Sequence, residues 1–191
     1  SEWDDRQNRK VERLTKTARF RYSAVMENID YNHDRNIDKN QIQRFASCDF
    51  VTQKDNILIT GSTGAGKSYM ASAIGHQACS LGFKTMYFNT SKLFTMLKTS
   101  KADGSYLKQV NKIEKQDLLI LDDFGLKGLD NINRHSLMEI IEDRHGKKST
   151  IIASQLPVEA WHEIIGEQTI ADAILDRLVH TAHRIDIKGE S

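Results

Sequence analysis

Lys67 and Ser68 close the string Gly61-Ser62-Thr63-Gly64-Ala65-Gly66-Lys67-Ser68, whose spacing is that of a polyphosphate-binding loop. Gly61, Gly64 and Gly66 let the backbone wrap closely, so that successive N–H groups from Ser62, Thr63 and Ala65 onward point into a concavity. That nest, and the N-terminus of a helix opening at Lys67 and Tyr69, both favour a polyphosphate. Lys67 is placed to reach the β- and γ-phosphates, and the Ser68 hydroxyl to take a position on Mg²⁺. The bland alternative is a glycine-rich strand–helix turn with a solvated lysine. The context opposes it: the apolar run Ile57-Leu58-Ile59 predicts a buried strand before the loop, and Tyr69 to Leu81 a helix after it. The expectation is a bound nucleoside triphosphate contacted by residues 61–69.

Two carboxylates follow a second apolar run, Leu118-Leu119-Ile120-Leu121-Asp122-Asp123. In a parallel sheet, ligands lie beyond the carboxyl ends of the strands, so both acids belong to the same rim as the loop. Asp122 is expected to hold Mg²⁺, directly or through water, because that ion takes hard oxygen ligands and keeps several waters. Asp123 is expected to orient and activate an attacking water. A third strand, from Ser149 to Ser154, is followed by Gln155. Its amide either senses the γ-phosphate or belongs to a turn before Pro157. Arg177, in Ile174-Leu175-Asp176-Arg177-Leu178-Val179, either pairs with Asp176 or a neighbouring acid, or projects into an adjacent subunit's nucleotide site.

Alternating strand and helix signals must position these groups. Strands are expected near 56–60, 84–89, 118–121, 149–154 and 184–187. Helices are expected over 67–81, from a Thr90 or Ser91 cap through Leu97, and over about 105–114, 132–144 and 169–179. Pro157 is expected in the first turn of a short helix carrying Trp161. Fully apolar strands alternating with helices imply a parallel sheet covered on both faces. Ahead of them, residues 4–21 form a polar, helix-compatible stretch with seven Lys or Arg and a narrow stripe of Val11, Leu14 and Ala18, extended by Phe20. A loop through Tyr31 and Asn36 leads to a helix from about Lys39 to Cys48.

A chain of 191 residues suits one α/β domain with a short appendage. The net charge is +1, so any surface for nucleic acid must be local. No apolar run approaches the roughly 20 residues a transmembrane helix needs, and no signal-peptide pattern opens the chain. Cys48 and Cys79 stand alone, which suits a reducing cytoplasm. His180 and His183 lack a third partner for a metal.

Taken together, GSTGAGKS, LLILDDFGLKGLD, the segment from Ser149 through PVEAWHEIIG, AILDRLVH and RIDIKGES resemble the IstB/DnaC group of AAA+ ATPases, and the IstB type more than DnaC. The resemblance covers nearly the whole chain. It implies a three-layer P-loop α/β fold with a five-stranded parallel sheet of order 5-1-4-3-2. It implies an N-terminal basic helical arm and loop over 1–37 and an ATPase core over 38–191 without a full lid domain. It makes Gln155 the match to the sensor-1 position and Arg177 the match to the arginine finger. It implies an ATP hydrolase with Mg²⁺, in the cytoplasm, that assembles into oligomers with ATP on DNA. Its partner is then a transposase, which it assists in selecting target DNA. The helices between Ser91 and Glu114 correspond in that group to an insertion that contacts DNA. Lys92, Lys98, Lys101, Lys108, Lys112 and Lys115 either neutralise phosphates or form a solvated face. Asp123 and Gln155 stand where the group usually carries Glu and Asn. Two rival readings are a replicative helicase loader on the same core, and a monomeric small-molecule P-loop kinase.

Overall fold

The computed structural model describes residues 1–32, 35–62, 64 and 66–189. Five parallel strands, β1 (Asn56–Gly61), β2 (Thr85–Asn89), β3 (Leu118–Asp122), β4 (Ser149–Ser154) and β5 (Ala182–Ile187), form one sheet ordered β2-β3-β4-β1-β5. This is the order that the family resemblance implies. The register pairs Asn89 with Asp122, Leu121 with Ile152 and Thr60 with Ser154, so β1 to β4 end together on one rim.

Strand side chains alternate between two apolar layers, as the two-residue period of a strand requires. Ile57, Ile59, Ile120, Ile151 and Ile185 face α4 (Lys67–Ser80) and the N-terminal elements α1 (Glu2–Ala18), α2 (Lys39–Phe45) and α3 (Asp49–Thr52). Leu58, Leu119, Leu121 and Ile152 face the opposite layer. That layer comprises α5 (Thr90–Asp103), α6 (Tyr106–Glu114), α7 (Asn131–Arg144), α8 (Trp161–Ile165) and α9 (Gln168–Val179). A strand buried on both sides must be apolar at every position, which is why Leu118 to Leu121 reads as an unbroken run.

The structure differs locally from the sequence expectation in three helical regions. Helix α5 is capped by Asn89, whose side chain accepts from the Lys92 amide, rather than by Thr90 or Ser91. It continues past Leu97 to Asp103, because Gly104 takes the left-handed conformation that ends it. Helix α1 stops at Ala18, and Arg19 turns left-handed at φ 60, so Phe20 packs against the core from the irregular segment beyond the helix instead of completing a helical stripe. Pro157 precedes a 3₁₀ turn at Val158–Ala160 before α8 begins at Trp161.

At the opposite rim a buried arginine ties the elements together. Arg144 ends α7 and donates to the carbonyls of Ile113, Gln116 and Ser149 and to the Thr150 hydroxyl. Burial pushes its guanidinium down to about 9, and these acceptors offset the desolvation. No helix among the described residues is long and apolar enough to cross a membrane.

Candidate functional site

Strand β1 delivers Gly61 to the rim, and α4 starts six residues later at Lys67. Between them the chain must reverse tightly, and Gly64 and Gly66 do so at φ 83 and 93, values side chains rarely adopt. A Cβ on Gly66 would also collide with the Arg35 guanidinium. The N-cap of α4 is this glycine, with no side-chain acceptor on the first-turn amides. Those amides and the positive end of the helix dipole are therefore available to an anion. Lys67 is buried at the base of the loop, Ser68 and Tyr69 are half-buried, and Ser62 donates its hydroxyl to the Gly189 carbonyl at 3.2 Å. Thr63 and Ala65, expected among the phosphate contacts, lie outside the described residues.

An open cleft of about 830 Å³ adjoins the loop. Gly64, Gly66, Tyr69 and Met70 line one side of it, and Asn28, Ile29, Asp30 and Arg35 the other. The second wall comes from the segment before the core. Arg35 is tied there through its carbonyl, which accepts from the Lys188 amide at 2.8 Å, and through an ion pair to Asp30. A loop turned through positive φ at Gly64 and Gly66, an uncapped helix N-terminus and a cleft of nucleotide size together fit a nucleoside triphosphate.

Across the rim, β3 brings in the two acids. With β4 between β3 and β1, they stand about two strand spacings, roughly 10 Å, from the end of β1. Asp122 is fully buried. One of its carboxylate oxygens accepts from the Tyr87 hydroxyl and the other from the Asp123 amide at 2.8 Å. Each oxygen retains a second lone pair for a metal or its water. Burial, followed by the bond to Asp122, pushes the Tyr87 phenol well up, so it remains a proton donor to that acid. The oxygen-only character of Asp122 and Ser68 fits Mg²⁺.

Asp123 departs from the strand at φ 56. Its Oδ2 accepts from Asn89 Nδ2 at 3.1 Å and from Arg21 Nη1 at 3.4 Å. Gln155 is exposed just past β4 and shares a second cleft with Gly61 and Ser62 on the β1 side. Lys67, Ser68, Tyr69, Asp122, Asp123 and Gln155 thus come to one rim.

Arg177 does not. It lies in the last turn of α9, where Leu178 accepts from the Asn56 side chain at the start of β1, so the length of that strand, roughly 17 Å, separates it from the loop. Its guanidinium pairs with Glu142 of α7 at 3.2 Å and donates to the Ala173 carbonyl at 3.0 Å. The local ion pair expected as one alternative is present, with Glu142 rather than Asp176. Both side chains are partly exposed, so releasing the pair costs little.

Asn89, Tyr87, Arg21 and the cleft wall at Asn28–Asp30 were not found by spacing. Asn89 is 34 residues from Asp123, and only the pairing of β2 with β3 makes them neighbours.

Comparison with known proteins bears on the whole chain. The IstB-like ATP binding protein family matches residues 1–191. An insertion sequence ATP-binding protein of Sinorhizobium fredii is 47% identical over 190 residues, 100% of this chain and 78% of its own length. The solved DnaC helicase loader shares the fold at a TM-score of 0.73 and 22% identity, over 87% of this chain and 98% of its own. DnaA from Aquifex aeolicus, bound to AMPPCP, does so at 0.72 and 17% identity, over 87% and 51%.

Proposed function

We infer the function from one premise: the chain belongs to the IstB-like ATP-binding proteins. Its AAA+ core is a nucleotide-binding unit, and we propose that it hydrolyses ATP, assembles on DNA in an ATP-dependent way, and assists a transposase in target-DNA selection. The observation that carries the nucleotide chemistry is the uncapped glycine loop facing two acids on one rim. The insertion-sequence character of the Sinorhizobium fredii relative supports the transposition role.

In this reading, residues 61–69 cradle the phosphates, and Lys67 neutralises the β- and γ-phosphate charge. Ser68 and Asp122 hold Mg²⁺. That ion, when bound, withdraws charge from the phosphoryl oxygens and fixes the phosphates for in-line attack. Asp123 accepts a hydrogen bond from water and takes its proton as the oxygen attacks the γ-phosphorus and the bond to the β-phosphate oxygen breaks. Gln155 positions the same water. Arg177 stands at the opposite end of β1 from its own loop, so its proposed role is to complete the site of a neighbouring copy. Residues 1–37 act as a basic arm whose end closes the nucleotide cleft, and 38–191 as the ATPase core. Lys92, Lys98, Lys101, Lys108, Lys112 and Lys115 are all exposed on α5, α6 and the turn after them, and are proposed to meet DNA phosphates.

The test is phosphate release against protein concentration, with and without duplex DNA. A composite site predicts specific activity that rises with concentration and rises further on DNA, with DNA binding that weakens steeply as salt increases. Specific activity independent of both concentration and DNA would refute assembly. Capture of a replicative helicase and no transposase would replace the transposition role.

A further inference from the structure

Three consecutive residues after α1 fasten the N-terminal segment to the nucleotide rim. The Phe20 ring stacks beside His76 of α4 at a centroid distance of 4.2 Å and meets Tyr87 edge-on at 6.4 Å. The carbonyl of Tyr22 lies 3.1 Å from His76 Nε2, and its ring lies 6.2 Å from Tyr69. Phe20 and Tyr22 are thereby anchored on the helix that begins in the phosphate loop. Arg21, between them, extends over the end of β3.

There its guanidinium reaches Asp123 Oδ2 at 3.4 Å, 102 residues away in sequence. It also lies over the Tyr22 ring at 5.3 Å, which sets its direction. The oxygen it reaches is the one that already accepts from Asn89. A carboxylate oxygen offers two in-plane lone pairs, so Asn89 and Arg21 together fill Oδ2. A water approaching that oxygen finds donors where it needs an acceptor. The Arg21 side chain is 51% exposed and that of Asp123 21%, so the contact is weak enough to open.

We propose that Arg21 is a latch on Asp123: with the N-terminal segment docked, the guanidinium occupies Oδ2, one of the two oxygens of the carboxylate that positions water, and turnover is restrained until Arg21 leaves. Arg21 is then a positioning residue acting through Asp123, and it couples the N-terminal segment to the hydrolytic site. The proposal rests on reading this rim as the site of ATP hydrolysis.

The experiment compares the full chain with Arg21→Ala and Arg21→Lys at saturating Mg·ATP. Arg21→Ala should raise turnover about two- to five-fold, the range an exposed ion pair can restrain, with unchanged affinity for a non-hydrolysable ATP analogue. Arg21→Lys should stay near the parent rate. A readout independent of catalysis is amide hydrogen exchange at residues 19–25 without nucleotide, which should quicken in Asp123→Ala. Turnover in Arg21→Ala equal to or below that of the parent overturns the latch, as does unchanged exchange in Asp123→Ala. If the parent chain and Arg21→Ala both bind ATP without hydrolysing it, the hydrolysis reading fails and the latch fails with it.

Discussion

Asp123 combines an unusual backbone with an unusual side chain. At φ 56 it lies in the left-handed region, which Asp enters more readily than longer residues because its short carboxylate can bond locally. A glutamate at this position would meet a steeper backbone cost and would overreach the Asn89 amide, which holds Oδ2 at 3.1 Å. The shorter acid is therefore matched to the turn that carries it. If it serves as the base, Asp123→Asn should keep ATP binding and lower turnover by at least about a hundredfold, the usual contribution of a positioned general base. Phosphate release paired with fluorescent-nucleotide titration measures both. Turnover near the parent rate would move the base elsewhere on the rim.

Among the elements, α4 has two duties: its N-terminus faces the phosphates and its body carries the N-terminal segment. The second depends on Gly75. A Cβ there would meet Ile120 Cδ1 at 2.8 Å and the Phe20 ring closer still. Alanine in mid-helix ordinarily gains about 1 kcal/mol over glycine. Here overpacking of about 1–3 kcal/mol opposes that gain. Gly75→Ala should therefore lower the urea midpoint of unfolding and loosen residues 19–25 in hydrogen exchange. A stabilised variant would mean that Phe20 does not occupy this slot. The spacing of Val11, Leu14 and Ala18 showed that a helix precedes the core. It did not show that Phe20 would dock from beyond that helix's end, because the left-handed turn at Arg19 breaks the 3.6-residue period.

At the scale of the whole molecule, the parallel sheet separates Lys67 and Arg177 to opposite ends of β1. One chain cannot bring them together without unfolding, so the two can share a nucleotide only across two chains. Arg177→Ala should then bind ATP normally and lose turnover, while Lys67→Ala should lose ATP binding. Mixing the two inactive variants should restore part of the activity, since the Lys67→Ala chain still offers its arginine to the intact loop of its partner. A mixture as inactive as its components would confine Arg177 to its ion pair with Glu142.

The order of residues alone determined the phosphate loop, the two acids after an apolar strand, and the five-stranded parallel sheet. Each is a local pattern: a fixed spacing, a continuous apolar run, or a strand–helix alternation that packs in few ways. The tertiary structure decided what meets across the sheet and beneath the N-terminal segment. Asn89 and Arg21 on Asp123, Tyr87 on Asp122, and Asn28 to Arg35 as a cleft wall are contacts between residues from 34 to 102 positions apart, or between a loop and a helix. No periodicity encodes them, because they arise only when strand order and register place distant side chains at one rim.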